Sequence, residues 1–327
     1  MGFSETLVGI NSAALELPLN HLIWLNDYKT YGENSYVFQN KDILHELYKS
    51  PTLIVDPYIT IDALDYIFGN CTEEETKTIL QKYYYKDLNN LISNGVSFAN
   101  ATYTEIQLLL LYHYYYGLDL TNFWSVGDKR SVSLAEMAAT GVGESHAEQT
   151  VEFAIADFDH DTLTSPINDV TNAAITLTQV GLLDNMGYMN AKGTNVGGWT
   201  SCARRAWCND VFYNALPSLL KNMVKPVDKL TAAGNQSVTI ETTSDKVFLF
   251  SEVEILGYKL YSEVGEGLQY TYYEDTSNRK KGGFYCWWTR SPNSNGTGLF
   301  CQINSSGEPY QISTAAETFN LITGICI

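Results

Sequence analysis

The sequence predicts an α+β protein, with an N-terminal all-α domain over residues 1–118 and a C-terminal α+β domain over residues 119–327. Three observations predict it. Up to Gly117, apolar residues recur at three- and four-residue steps, the spacing of one helix face. Past that glycine the texture changes, with five of the six tryptophans and short runs of strand-type alternation. Capped helical segments interrupt those runs, which is the element order of an α+β domain. At 327 residues the chain exceeds the usual size of one domain, and 45% hydrophobic residues suffice for packed cores.

The first strong helix is "TEEETKTILQKYYYKDLNNLISNG", which opens with Thr72 and Glu75 in capping-box spacing and closes at Gly95. Ile79, Leu80, Tyr83, Leu88, Leu91 and Ile92 line its apolar face. "TEIQLLLLYHYYYG" repeats the grammar, with Thr104 and Gln107 as its box and Gly117 as its stop. Shorter helices are expected over "KDILHELYKS" and "TIDALDYIFG". The tyrosine runs at 83–85 and 114–116 suit a core and subunit contacts, so this domain is expected to serve attachment or oligomerisation. Next, "NFWSVGDKRSVSL" reads as a hairpin turning at Gly127-Asp128. "QTVEFAIADF" puts Val151, Phe153 and Ile155 on one strand face. "SCARRAWCNDVFYNALPSLLKNMV" reads as helical, with Pro217 starting a second segment because an interior proline removes a hydrogen bond. "DKVFLFSEVEILG" reads as a strand and a one-turn helix, boxed by Ser251 and Glu254 and stopped at Gly257. Short strands separated by Gly, Asn and Ser complete the chain.

With 37 acidic and 20 basic side chains the net charge is -17. Such a surface repels phosphate backbones and anionic headgroups, which argues against nucleic-acid and membrane partners. "MGFSETLVGI" lacks a basic start and a sustained apolar run, so no signal peptide is expected. "IQLLLLY" is too short to span a bilayer. The six cysteines form no C-x-x-C pair, which argues against zinc-ribbon and thioredoxin chemistry and for buried free thiols. There is no G-x-S-x-G elbow, P-loop or dinucleotide fingerprint, so no catalytic residue and no cofactor is assigned. "DFDHDTLTSPIND" alternates Asp157, Asp159 and Asp161, but Thr162 and Asn168 stand where a calcium loop needs glycine and glutamate. It reads as a strand-end turn with solvated carboxylates, the alternative being a metal or acid–base pair at His160 and Asp161. No metal site is assigned.

Five blocks follow in order: "FWSVGD", "GGWTSCARRAWCNDVFYNALP", "TTSDKVFLFSEVEILG", "YCWWTRSP" and the closing "GICI". Together they resemble an uncharacterised domain of anaerobic gut Firmicutes and their phages, over residues 120–327. More distantly, the aromatic block, the Arg-Ser turn and the last strand resemble the tail of C-type-lectin-like folds. Variable proteins of diversity-generating retroelements and sulfatase-activating enzymes share that layout. Their Gly-Phe-Arg ending is here Gly324-Ile325-Cys326. The resemblance implies a binding module at a virion or cell surface: a phage tail or receptor-binding component, or a bacterial surface protein, that recognises a cell-surface glycan or protein. It implies two alternatives, a purely structural virion protein and a Cys-dependent enzyme acting through Cys286 and Cys301. A homo-oligomer or a virion assembly is the expected state.

In "CWWTR" strand alternation sends Trp287 and Trp288 to opposite faces. Either both are buried scaffold, or one is an exposed stacking platform. Arg290 is expected to tie a loop through carbonyls or a buried carboxylate. "PNSNGTG" and "NSSGEPYQ" have the composition of adaptable binding loops and equally of ordinary turns. The candidate ligand-binding residues are Tyr285, Trp288, Asn293, Asn295, Asn304 and Tyr310.

Overall fold

A computed structural model describes residues 73, 74, 77, 80, 81 and 85–327, except 282–285 and 311–312. The Thr72–Glu75 box, the short helices before it and Tyr83 and Tyr84 lie outside the described residues. Two compact units result. The first holds Thr102–Gly117 together with chain before Val96, and the second holds Val96–Ala101 and Leu118–Ile327.

In the first unit, α1 spans Tyr85–Asn94 and α2 spans Tyr103–Tyr116. The box that starts α2 is Thr102 with Glu105, two residues ahead of the expected Thr104 and Gln107. A carboxylate is the stronger acceptor for the free N–H of an N-cap. Here Glu105 takes the Thr102 N–H at 2.7 Å. Gly117 ends α2 as expected, in the left-handed conformation at φ 67°. The hydroxyls of Tyr112 and Tyr116 donate to the carbonyls of Leu80 and Lys77. Those two tyrosines therefore help to hold their own unit.

The second unit begins in the chain before α2. Phe98 is buried edge-on against Trp124 at 5.2 Å, and the Trp124 indole N–H donates to the Val96 carbonyl. The strands are β1 Lys129–Leu134, β2 Gln149–Phe158, β3 Thr162–Ile167, β4 Val170–Asn172 and β5 Ile175–Gln179. A helical run follows: α3 Ala203–Trp207, a π-turn at Cys208–Phe212, α4 Tyr213–Ala215 and α5 Ser218–Met223. Pro217 starts α5, as expected. Then come β6 Val227–Ala232, β7 Ile240–Asp245 and β8 Val247–Leu249. Helix α6 Glu252–Leu256 has the expected Ser251/Glu254 box and Gly257 stop. Last are α7 Thr271–Glu274, β9 Trp287–Pro292, β10 Phe300–Ile303, β11 Pro309–Tyr310 and β12 Thr323–Cys326.

These strands form three antiparallel sheets, ordered β1-β2-β5-β12-β8, β4-β3-β6-β7 and β11-β10-β9. With the helices they make the predicted α+β architecture. The expected hairpin at Gly127 is absent. Its turn forms, but β1 pairs with the distant β2, Lys129 opposite Ala154, because burial of Trp124 takes the preceding segment away. Every residue of β5, β12 and the edge strand β8 is buried, so that side of the large sheet is covered on both faces. Close packing explains Gly324 in the closing strand. A Cβ there would lie 2.5 Å from the Phe248 ring. Among the described residues no helix is long and apolar enough to cross a membrane.

Replacing Phe98 by alanine empties a fully buried ring site and should destabilise the second unit by about 3–5 kcal/mol. Val238→Ala, at a side chain 75% exposed, should stay within about 0.5 kcal/mol. Urea denaturation of both variants tests whether residues 96–101 belong to this core.

Candidate functional site

The strand β9 is buried along its whole length, and its arginine bonds to three other strands or loops and one helix. Arg290 Nε donates to the Thr231 hydroxyl at 2.9 Å, and its terminal nitrogens reach the carbonyls of Leu249 and Leu230 at 3.0 Å. Both terminal nitrogens also grip the Glu254 carboxylate on α6. The expected role of Arg290, tying loops through carbonyls and a buried carboxylate, is met. Glu254 is shared with Lys229 of β6 at 2.6 Å, and Lys229 reaches Asp161 at 2.7 Å and the Tyr270 hydroxyl at 2.9 Å. Asp161 also accepts from Tyr270 and from Thr176 of β5. Two cations and two carboxylates thus balance out of water, as buried charges must. Burial alone would raise the carboxyls of Asp161 and Glu254. Lys229 and His160 outweigh it at Asp161, and Arg290 and Lys229 outweigh it at Glu254, so both are held below the usual carboxylate range.

Solvated carboxylates in the 157–161 turn are therefore a partial expectation only. Asp161 is a core residue, Asp157 accepts the Thr271 N–H and hydroxyl, and Asp159 is exposed at φ 49°. His160 stacks on Tyr270 at a centroid distance of 4.0 Å, with Nδ1 3.9 Å from Asp161.

Around this network, two loops are held from beneath. Glu252 is fully buried, and its Oε2 accepts the backbone N–H groups of Leu260, Tyr261 and Ser262 at 2.8–2.9 Å, plus the Ser262 hydroxyl. Asn195 is equally buried. Its amide donates to the carbonyls of Gly296 and Leu299 at 2.7 and 2.8 Å, and its Oδ1 accepts the Asn235 N–H. The Ser294 N–H donates to the Tyr261 carbonyl at 2.8 Å, which joins the two loops. Tyr258 and Leu260 are 51% and 50% exposed on one, and Asn295 and Thr297 are exposed on the other. Sequence reasoning missed Asn195, Glu252 and the 258–262 loop. The available signal was the Asn-Val-Gly-Gly turn and the acid that follows Ser251.

The sequence-derived candidates are scattered over this region. Tyr285 lies outside the described residues. Trp288 is fully buried, its indole N–H donates to the Gly187 carbonyl and its ring meets Phe319 edge-on. Trp287 is also fully buried, donates to the Arg279 carbonyl and stacks on Tyr273. Alternation does send the two indoles opposite ways, but both faces of the strand are covered, so neither is an exposed platform. Asn293 is buried, and its Oδ1 accepts the Asn295 N–H. Asn304 shapes the next turn by accepting from Ser306 and Glu308. Tyr310 is half-buried opposite Gln302. Asn293 and Asn295 precede β10, whereas Asn304 follows it. The strand thus sets them at its opposite ends.

Cys286 immediately precedes β9 and Cys301 lies on the neighbouring β10, yet they do not face each other. Trp287 is opposite Ile303, which carries Cys286 beyond that pair, while the Cys301 carbonyl accepts the Thr289 hydroxyl. Burial pushes both thiols up, and the five described cysteines are all free. Thiolate chemistry has little support in that setting.

The Gly-Gly-Trp block builds a different feature. Trp199 donates its indole N–H to Asp245, which also accepts from Arg205, Thr243 and Asn209. Beside this cluster opens a cleft of about 390 Å³, with Thr200, Ser201, Arg205, Asn209, Ser244 and Lys246 in its wall.

Residues 171–320 match a family described as "Domain of unknown function (DUF6273)". That stretch contains Lys229, Glu254, Tyr270 and Arg290 of the network, both clamped loops and the cleft, but neither Asp161 nor the closing strand. No curated protein and no solved structure matches the chain.

Glu266, fully buried beside Arg290, gives a pH-dependent signature. It accepts the Ala232 N–H at 2.9 Å and bonds the Ser291 hydroxyl. Burial, reinforced by Glu252 and only partly offset by Ser291, Ala232 and Arg290, pushes its carboxyl from 4.5 up to about 7. Its protonated form therefore contributes stability that is complete below pH 4.5 and is lost as the pH rises through about 7. Glu266→Gln imitates the protonated form. It should flatten this fall and leave the variant more stable at pH 8, by up to about 3 kcal/mol. The charge on His160 is disfavoured by burial but held by Asp161, so its raised value adds a decline in both proteins. Urea titrations from pH 5 to 8, wild type against variant, isolate the Glu266 share.

Proposed function

We propose that the second unit is a recognition module that presents the 258–262 and 294–297 loops to a cell-surface glycan or protein. The observation that carries this reading is the pair of clamps: buried Glu252 and Asn195 hold outward loops from below. Loops fixed in advance lose little conformational freedom on binding, which favours affinity. The exposed tips combine an aromatic and a leucine with Asn and Thr, a mixture of apolar contact and hydrogen bonding suited to a binding surface.

The setting we infer is a phage tail or receptor-binding component, or a bacterial surface protein, on a C-type-lectin-like scaffold. Support comes from the block resemblance, the small β9–β10–β11 sheet and the central closing strand. The first unit would serve attachment or homo-oligomerisation.

A glycan array and host cell-wall pull-downs test the reading on the full chain. The double variant Asn295→Ala with Leu260→Ala should lose at least tenfold in binding while its stability changes by no more than about 1 kcal/mol. Asn304→Ala with Tyr310→Ala, beyond the other end of β10, should bind normally. If the second pair abolishes binding and the first does not, the reading face is at the wrong end. A folded wild-type protein that binds neither glycan nor cell wall favours a purely structural role.

A further inference from the structure

We propose that the cleft beside Trp199 is a second binding site, independent of the clamped loops, for a small carboxylate-bearing sugar. Among the described residues its wall contains no acidic side chain, which inverts the character of a chain with net charge -17. The wall contains two cations in different states. Arg205 is fully engaged: Nε holds Asp245 at 2.6 Å and a terminal nitrogen donates to the Ser244 carbonyl at 2.9 Å. Lys246 is half-exposed, and its ammonium rests over the Tyr213 ring at 4.3 Å with no ion-pair partner among the described residues. A ring positions a cation without neutralising it, so the Lys246 ammonium is placed to meet a ligand.

The size and the remaining chemistry narrow the ligand class. A cleft of about 390 Å³ accepts a monosaccharide-sized molecule. One unneutralised ammonium suits a singly charged carboxylate better than a doubly charged phosphate. No backbone nest stands in for more cations here, because the first N–H groups of α3 are already taken by Asn190 and the Met189 carbonyl. Ser201 offers a hydroxyl to sugar hydroxyls, whereas the Ser244 hydroxyl is taken by Thr164 at 2.8 Å; Asn209 holds the cleft's shape by bonding Asp245 and the Val247 carbonyl. Ala203, Ala206 and Pro226 provide the apolar patch against which a pyranose ring face can lie. The Thr200 hydroxyl is already donated to Glu241, so it is not counted.

Isothermal titration of the full chain with D-glucuronate and with D-glucose tests the assignment. Glucuronate should bind, more weakly as salt is raised, and glucose at least tenfold more weakly. Lys246→Met keeps the stem on Tyr213 but removes the charge, and should weaken glucuronate by about tenfold, the usual loss for a hydrogen bond to a charged group. Lys246→Arg should restore it. The loop variant Asn295→Ala with Leu260→Ala should bind glucuronate normally, which separates this site from the proposed glycan-reading face. Equal binding of glucose and glucuronate, unchanged binding by Lys246→Met, or no heat with glucuronate overturns the proposal.

Discussion

The ion pairs of Lys229 with Asp161 and Glu254, and of Glu254 with Arg290, are the constraint on which the second unit depends. Asp161 comes from the turn after β2, Lys229 from β6, Glu254 from α6 and Arg290 from β9. One neutral group of four charges therefore fixes three sheets and a helix at a single point. Removing any one charge strands its partner in a medium where ions are poorly solvated, at a cost of about 3–5 kcal/mol. The geometry leaves little freedom for adjustment. Arg290 uses all three nitrogens, and Lys229 is held between two carboxylates, a phenol and the face of Phe248. Replacing a buried network of this kind by apolar packing can be neutral, whereas breaking one pair is costly, so its effect is to penalise arrangements that separate the four charges.

The loops inherit their positions from that centre. Glu254 caps α6 through Ser251, and this helix start puts Glu252 under the 258–262 loop. Arg290 and Ser291 continue into Pro292, and the chain that leaves β9 becomes the loop clamped by Asn195. A pair of loops so built is fixed by the core: disturbing the core would move both tips together. Function on loops over a fixed scaffold is the common arrangement. What distinguishes this one is that the clamps are buried polar side chains and not a hydrophobic cluster.

Local features were legible in the sequence wherever a single residue type dictates the backbone. Gly117 and Gly257 end helices, Pro217 restarts one, and Ser251 with Glu254 caps another, each for a reason that acts within one turn. Arg290 was legible as a tie because an arginine amid tryptophans cannot be buried without partners. Pairing was not legible. β1 meets β2 across a long excursion, and the short-range turn at Gly127 gave no hint of it. The aromatic platform failed for the same reason, since alternation tells which way Trp287 and Trp288 point but not what covers each face. Asp161 looked solvated because its cation, Lys229, lies far along the chain. Asn195 and Glu252 carry only weak local signals, a Gly-Gly turn and an acid after a cap, which do not say what each will hold. Their roles emerge only when distant loops are brought over them.

Two adjacent arginines show how an acidic protein divides its few cations. Arg204 is turned inward, over the Trp207 ring at 4.6 Å and bonded to the carbonyls of Tyr188 and Val142; burial pushes it down to about 10. Arg205 faces the cleft but is neutralised by Asp245. With Lys229 and Arg290 balanced internally by carboxylates, the buried network contributes nothing to the net charge, and the excess of acid falls on the rest of the chain. Against that background a cleft whose wall carries Lys246 over a tyrosine ring and no acidic side chain is a local exception among the described residues. Selectivity for an anion then needs no elaborate site. It needs only that the surrounding surface repel the same ligand everywhere else, which a chain of this composition does.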